Sequence, residues 1–231
     1  MFLRPNLRPR RIPFNLICAA LLFLIASQAA NADELAVWNF NDSDLNVDHG
    51  SGTLTSNLNV ANILFAAGTT TNARLGDPAG QALSLQGGTG NANNGRNITF
   101  NVSTAGFSNI VVSFTSQGTS TGFNSNQFQY SLDGISFVDF GSPYAPATTF
   151  GALPFVFGLA SIAGLNNNPN AVFRIVFNGA TSSTGNNRID NIVVEGTAAA
   201  STTIPEPASA LLLISGLGGL YKLKRRGTKA P

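Results

Sequence analysis

The chain has 231 residues, of which 10% are charged and 43% hydrophobic, with a single Cys, His and Trp. Its formal charge of +2 hides an uneven distribution: from Asp33 to Thr203 four arginines (Arg74, Arg96, Arg174, Arg188) stand against ten Asp and Glu, with no lysine, so that region carries −6. An acidic, lysine-free region is repelled by phosphate backbones, which excludes nucleic-acid binding, and one Cys with one His excludes a zinc site of the usual Cys/His kind.

Arg4, Arg8, Arg10 and Arg11 precede an apolar run from Leu16 to Ala26, and Ala30-Asn31-Ala32 follows with small residues where signal peptidase reads. Residues 1–32 therefore read as a secretory signal peptide with Asp33 as the first mature residue, the alternative being an uncleaved anchor. Cys18 lies inside the apolar run and leaves with it, so the mature chain has no thiol. An exported domain without disulfides must be held by its core.

Residues 33–197 read as one all-β domain. Ile98, Phe100 and Val102 alternate with polar residues, as do Ile110, Val112 and Phe114, and Phe128, Tyr130 and Leu132. Such runs have one apolar and one polar face, as in sheets packed face to face with water outside. Leu35–Phe40, Gln81–Gln86, Ile135–Phe140, Phe155–Leu159, Ala171–Asn178 and Arg188–Glu195 are further candidate strands; Val60–Ala67 is the one stretch that suggests a turn or two of helix. Asp133-Gly134 joins two such runs as the best hairpin turn. Many short strands without intervening helices predict a single β-sandwich of jelly-roll type.

Several pieces resemble bacterial extracellular jelly-roll modules: Val37-Trp38-Asn39-Phe40-Asn41, Ala82-Leu83-Ser84-Leu85, Gln129 to Gly134, and Arg188 to Val194. The resemblance implies a fold found in carbohydrate-binding appendages and in secreted proteins of many roles. It also implies a structural Ca²⁺ between the opening and closing strands, here shared by Asp42 or Asp44 and Asp190. The competing reading makes Asp42-Ser43-Asp44-Leu45-Asn46-Val47-Asp48 a solvated acidic loop; Val47 and Thr53 depart from an EF-hand.

The remaining polar candidates favour bland roles. His49 has no second His or Cys beside it and is expected in an exposed loop. Asp133 and Asp139 flank one strand, yet Asp133 is explained by its turn, so a glycosidase pair is not expected. Trp38 and Tyr130 read as core, whereas Tyr144, between Pro143 and Pro146, reads as exposed and free to stack on a sugar.

Residues 198–204 form a small-residue linker, and 205–231 a three-part tail: Pro205-Glu206-Pro207, an apolar segment 208–221, and a basic cluster of Lys222, Lys224, Arg225 and Arg226. The prolines keep the break point extended, and the basic cluster should stay cytoplasmic. At 1.5 Å per residue the apolar segment spans only about 21 Å, short of the roughly 30 Å hydrocarbon core.

The tail resembles the sorting signal of PEP-CTERM proteins, substrates of exosortases. That resemblance implies an inner-membrane precursor held transiently by the transmembrane helix 208–221, processed near the Pro-Glu-Pro, and released to the envelope or outside. The partners implied are signal peptidase, an exosortase and an exopolysaccharide matrix. The expectation is a non-enzymatic surface or matrix protein without a cofactor; the alternatives are a secreted carbohydrate-binding or calcium-dependent module, or an enzyme on matrix polymers.

Overall fold

The computed structural model describes residues 32–199. The expected signal peptide apart from Ala32, most of the expected linker and all of the expected sorting tail lie outside them. Twelve strands follow in order: β1 (Ala32–Trp38), β2 (His49–Gly50), β3 (Thr53–Ser56), β4 (Ile63–Ala67), β5 (Gln81–Gln86) and β6 (Arg96–Asn101). The second half holds β7 (Phe107–Gly118), β8 (Gln127–Ser131), β9 (Phe137–Asp139), β10 (Phe155–Gly158), β11 (Val172–Phe177) and β12 (Asn186–Ala198).

They form two antiparallel sheets. The first runs β10-β7-β12-β1-β2, with β5 also pairing β12 and β4 pairing β5; the second runs β3-β6-β11-β8-β9. Alternation in sequence becomes two faces in the second sheet: Leu54, Ile98, Phe100, Phe128, Phe173 and Ile175 point into the core, and the residues between them point out.

The core is largely aromatic, which explains 17 phenylalanines in the chain. Rings connect in sequence from Trp38 to Phe100 (6.1 Å between centroids), Phe173 (5.9 Å) and Phe128 (6.4 Å). Phe128 then stacks on Phe157 at 4.1 Å, and Phe157 on Phe114 at 5.6 Å, which carries the packing from the second sheet into the first. Each fully buried aromatic ring contributes about 2–3 kcal/mol of burial energy, so this row replaces the missing disulfides.

Strand β12 is the hub of the first sheet. Along one side it pairs with β7; on the other, residues 186–189 pair with β5 and residues 192–197 with β1. Asp190 and Asn191 fall at the junction, where the β7 register also slips. The segment after β4 bonds to both residues. Thr69 N donates to Asp190 Oδ2 (2.7 Å), and Asn191 Nδ2 donates to the carbonyls of Thr69 (2.7 Å) and Thr71 (2.9 Å). Asn72 Nδ2 donates to the Asn191 carbonyl (2.8 Å).

Two expectations are corrected. Val60–Asn62 makes one 3₁₀ turn, capped by the Asn59 side chain on Ala61 N, but Ile63–Ala67 is strand β4, because pairing with β5 outweighs local preference. Leu132 lies past the end of β8 and is 43% exposed; the β8–β9 turn begins there.

Asn191 is buried and sits at φ 50°, a region Asn tolerates better than Ala. Replacing it by Ala removes two hydrogen bonds and adds backbone strain, so Asn191→Ala should cost about 2–4 kcal/mol in denaturant unfolding. A loss below about 0.5 kcal/mol, the scale of ordinary surface substitutions, would show that the junction does not hold the sheet.

Burial raises the Asp190 carboxyl to about 7, outweighing the amide bonds from Thr69 and Asn191 that favour its ionised form. The folded state then holds the proton more tightly than the unfolded chain, so this group's contribution to stability falls as pH rises from 3.8 to about 7 and is level above. The melting temperature of the wild type should therefore drop relative to that of Asp190→Asn across this window. Parallel melting curves would remove Asp190 as the titrating group.

Candidate functional site

The outer face of the second sheet carries an organised set of polar side chains away from the β12 junction. Antiparallel register places residues in rows that cross all five strands. One row is Thr55, Thr99, Arg174, Gln129 and Asp139; its neighbour is Thr53, Asn101, Val172, Ser131 and Phe137. The first row and Thr53 and Asn101 of the second emerge because their sequence neighbours Leu54, Phe100, Phe173 and Tyr130 turn inward, whereas Val172 and Ser131 in the middle of the second row are buried.

The face is internally wired at one end. Gln129 Nε2 donates to Asp139 Oδ1 at 2.6 Å, and Gln129 Oε1 accepts from Arg174 Nε. The Arg174 guanidinium lies 3.6 Å from the centre of the Phe137 ring, a cation–π stack. Partial burial lowers the guanidinium from its ordinary value and Asp139 opposes that shift. Held flat on Phe137, the planar fork is oriented before any ligand arrives. At the other end Asn101 Nδ2 donates to Thr53 Oγ1 at 3.0 Å.

The second row continues into a cleft of about 420 Å³. Thr53, Asn101 and Val172 belong to both, and Ser51, Ser103 and Asn170 add hydroxyl and amide groups. Gly52 forms part of the wall; a side chain there would lie 2.9 Å from Trp38 Cη2, so the cleft rests against the buried indole. Asp133 is at the rim, but its Oδ1 is tied to the turn: it accepts from the amides of Ile135 (2.8 Å) and Ser136 (2.7 Å) and from Ser131 Oγ (2.9 Å). Those bonds hold it well below the usual carboxylate range, with the Ser136 amide contributing most. It is a turn residue, as its sequence context implies.

The structure does not gather Asp42, Asp44 and Asp190 into one group. Asp44 accepts from the backbone and side chain of Asn46, and Asp190 faces the Thr69 amide. Among the described residues no group of three or more His, Cys, Asp or Glu is arranged to hold a metal ion. The acidic loop does have partners that the sequence does not reveal. Asn39 N donates to Asp48 Oδ2 (2.7 Å) and Asn39 Nδ2 to Asp77 Oδ2 (2.9 Å), and His49 Nε2 lies 3.3 Å from the same Asp77 oxygen. Burial raises the Asp48 carboxyl, with Asp42 and Asp77 adding to the rise. His49 is thus half-buried against an acid 28 positions away rather than free in a loop.

Trp38 is buried and Tyr130 packs against the core, as expected. Tyr144 is a correction. Its ring packs 4.5 Å from Phe155 and 6.0 Å from Phe114, and backbone bonds with Asn126 hold it there. The hydroxyl is buried, which pushes its pKa up. The flanking prolines suggested a surface loop; the aromatic strip on β7 and β10 draws the ring in. Phe137 and Arg174, conversely, are site residues that sequence reading missed. Their only signal was an arginine in an otherwise apolar strand, Val172-Phe173-Arg174-Ile175-Val176-Phe177.

No family model matches the chain, and no curated protein matches it. Solved structures do resemble it in shape. The CBM22-1 xylan-binding domain from Paenibacillus barcinonensis Xyn10C is 12% identical, covering 75% of this chain and 100% of that one, with a TM-score of 0.46. Domain 4 of AbnA, an extracellular arabinanase from Geobacillus stearothermophilus solved with arabinotriose, is 14% identical over 72% of this chain and 94% of that one, at 0.42. The K2 cleaved adhesin domain of Lys-gingipain is 10% identical over 68% and 96%, at 0.43. Similarity at this level assigns no ligand to the chain.

Proposed function

We propose that residues 33–197 form an exported, non-catalytic module of jelly-roll type that binds a neutral polysaccharide at the cell surface or in the surrounding matrix. The observation that carries this reading is the polar row Thr55, Thr99, Arg174, Gln129 and Asp139 on the second sheet, lying beside Thr53 and Asn101 of the cleft. Hydroxyl and amide groups both donate and accept and the guanidinium adds donors, which suits the hydroxyls of a sugar. Adjacent strands repeat every 4.7–4.9 Å, so the row offers repeated contacts to a polymer. The −6 charge of the mature region opposes polyanions, which favours a neutral chain.

A non-catalytic role agrees with the chemistry at the face. Asp139 is bonded to Gln129, and Asp133 is committed to its turn and held ionised, so neither is set up as a general acid. Affinity electrophoresis through gels containing neutral xylan, galactan or glucan should retard the protein. Replacing Arg174 and Gln129 together by Ala should weaken retention about tenfold, the equivalent of one or two hydrogen bonds. Free migration in every polymer, or unaltered retention of the double variant, would overturn the assignment of this face.

The same proposal gives the tail its role in delivery. Residues 205–231 combine a Pro-Glu-Pro break point, a short apolar segment and four basic residues, an order that supports recognition and cleavage by an exosortase after export. In the native host the protein should be released in a form about 25 residues shorter, and changing Pro205-Glu206-Pro207 to alanines should leave it in the inner membrane. Fractionation with intact-mass measurement decides the point: retention of the tail in both forms would make it a plain anchor.

A further inference from the structure

The sequence contains two Asn-Gly pairs, Asn94-Gly95 and Asn178-Gly179. Asn-Gly is the dipeptide most open to spontaneous deamidation, because glycine offers no side chain to block attack by its own nitrogen and lets the backbone rotate into position. The fold treats the two pairs in opposite ways.

Asn94 is clamped at both ends of its amide. Its Nδ2 donates to the Ala180 carbonyl (3.0 Å) and its Oδ1 accepts from the Ala180 amide (2.9 Å). The nitrogen that would attack, Gly95 N, donates to the Phe177 carbonyl at 2.7 Å. Reaction there requires three hydrogen bonds to break first. Asn178 follows directly on β11 and is exposed. Among the described residues its side chain makes no hydrogen bond, and neither does Gly179 N; the Asn178 carbonyl accepts from Ser125 N at 3.0 Å. Gly179 has φ 86°, and a side chain on it would strike Asn124 Oδ1, so the glycine is required where it stands.

We infer that Asn178 is a site of spontaneous deamidation in the folded protein and that Asn94 is protected from it. Gly179 N, losing its proton to solvent base, bonds to Asn178 Cγ, and the side-chain nitrogen departs as ammonia. Water then opens the resulting succinimide at either carbonyl, giving aspartate or isoaspartate without any change of oxidation state. The product adds one negative charge to an already acidic domain. In the isoaspartate form the main chain runs through Cβ and Cγ, one methylene longer, and the carbonyl that holds Ser125 becomes a free carboxylate outside it.

The test is ageing of the folded full-length protein in mildly alkaline buffer, followed by peptide mapping with detection of the amide-to-acid mass change and of isoaspartate. Asn178 should convert at least about tenfold faster than Asn94, since Asn94 reacts only through local opening. In denaturant the two should convert at similar rates, and Asn178→Gln should abolish the new acidic isoform. An intact Asn178, equal rates in the folded protein, or the same large difference in denaturant would each overturn the inference.

Discussion

The central strand of the first sheet is bordered on one side by two strands placed end to end, and that arrangement constrains most of what surrounds it. Where β5 stops and β1 begins, a few backbone groups of β12 have no strand to meet, and buried backbone groups without partners are costly. Asn72 Nδ2 and Thr115 Oγ1 donate to the carbonyls of Asn191 and Asp190, Asp190 Oδ1 accepts from the Asn191 amide, and the rest of the Asp190 and Asn191 side chains turns to the loop. They fasten the segment from Thr69 to Asn72 over the gap, and Asn72 in turn reaches Ser113 of β7. Further along the same segment, Arg74 bridges Glu34 of β1 (3.1 Å) and Glu195 of β12 (2.8 Å). The first strand, the central strand and the crossing loop are thereby fixed as one unit. A carboxylate explains part of this and the geometry of Asn at positive φ explains the rest.

That fastening divides labour between the sheets. Part of the outer side of the first sheet is occupied by its own loop, so its polar residues are spent on structure. On the second sheet the row Thr55, Thr99, Arg174, Gln129 and Asp139 stays at least partly exposed, and its last three members bond in a chain. The contrast is clearest between Asp190 and Asp139. One is sealed beneath Thr69 with its pKa raised; the other is exposed and shares a proton donor with a neighbouring strand. The aromatic row between the sheets lets both faces be polar, because rigid rings fill the interior in a chain with no disulfide.

Phe137 and Arg174 show how a site can arise from pairing alone. Arg174 sits in β11 and Phe137 in β9, and β8 separates them. Only the register of three strands brings the guanidinium over the ring. The acidic loop behaves similarly: Asp77 reaches Asn39 and His49 across 38 and 28 positions. Neither arrangement has a local signature, whereas the Asp133-Gly134 turn, which depends on neighbours within three residues, was readable at once.

By itself the sequence determined the all-β class, the positions of most strands, the inward side of the plainly alternating runs up to Tyr130, and Trp38 as a core residue. These follow from alternation and turn chemistry, which act over a few residues. Tertiary structure decided that Val60–Ala67 ends in a strand, that Tyr144 goes inside, and that Asp190 serves a loop. It also decided which polar residues share a face, and why one Asn-Gly pair is clamped while its neighbour is open. Each of these depends on a partner far away in the chain, and register between distant strands is set by the whole core rather than by any local pattern.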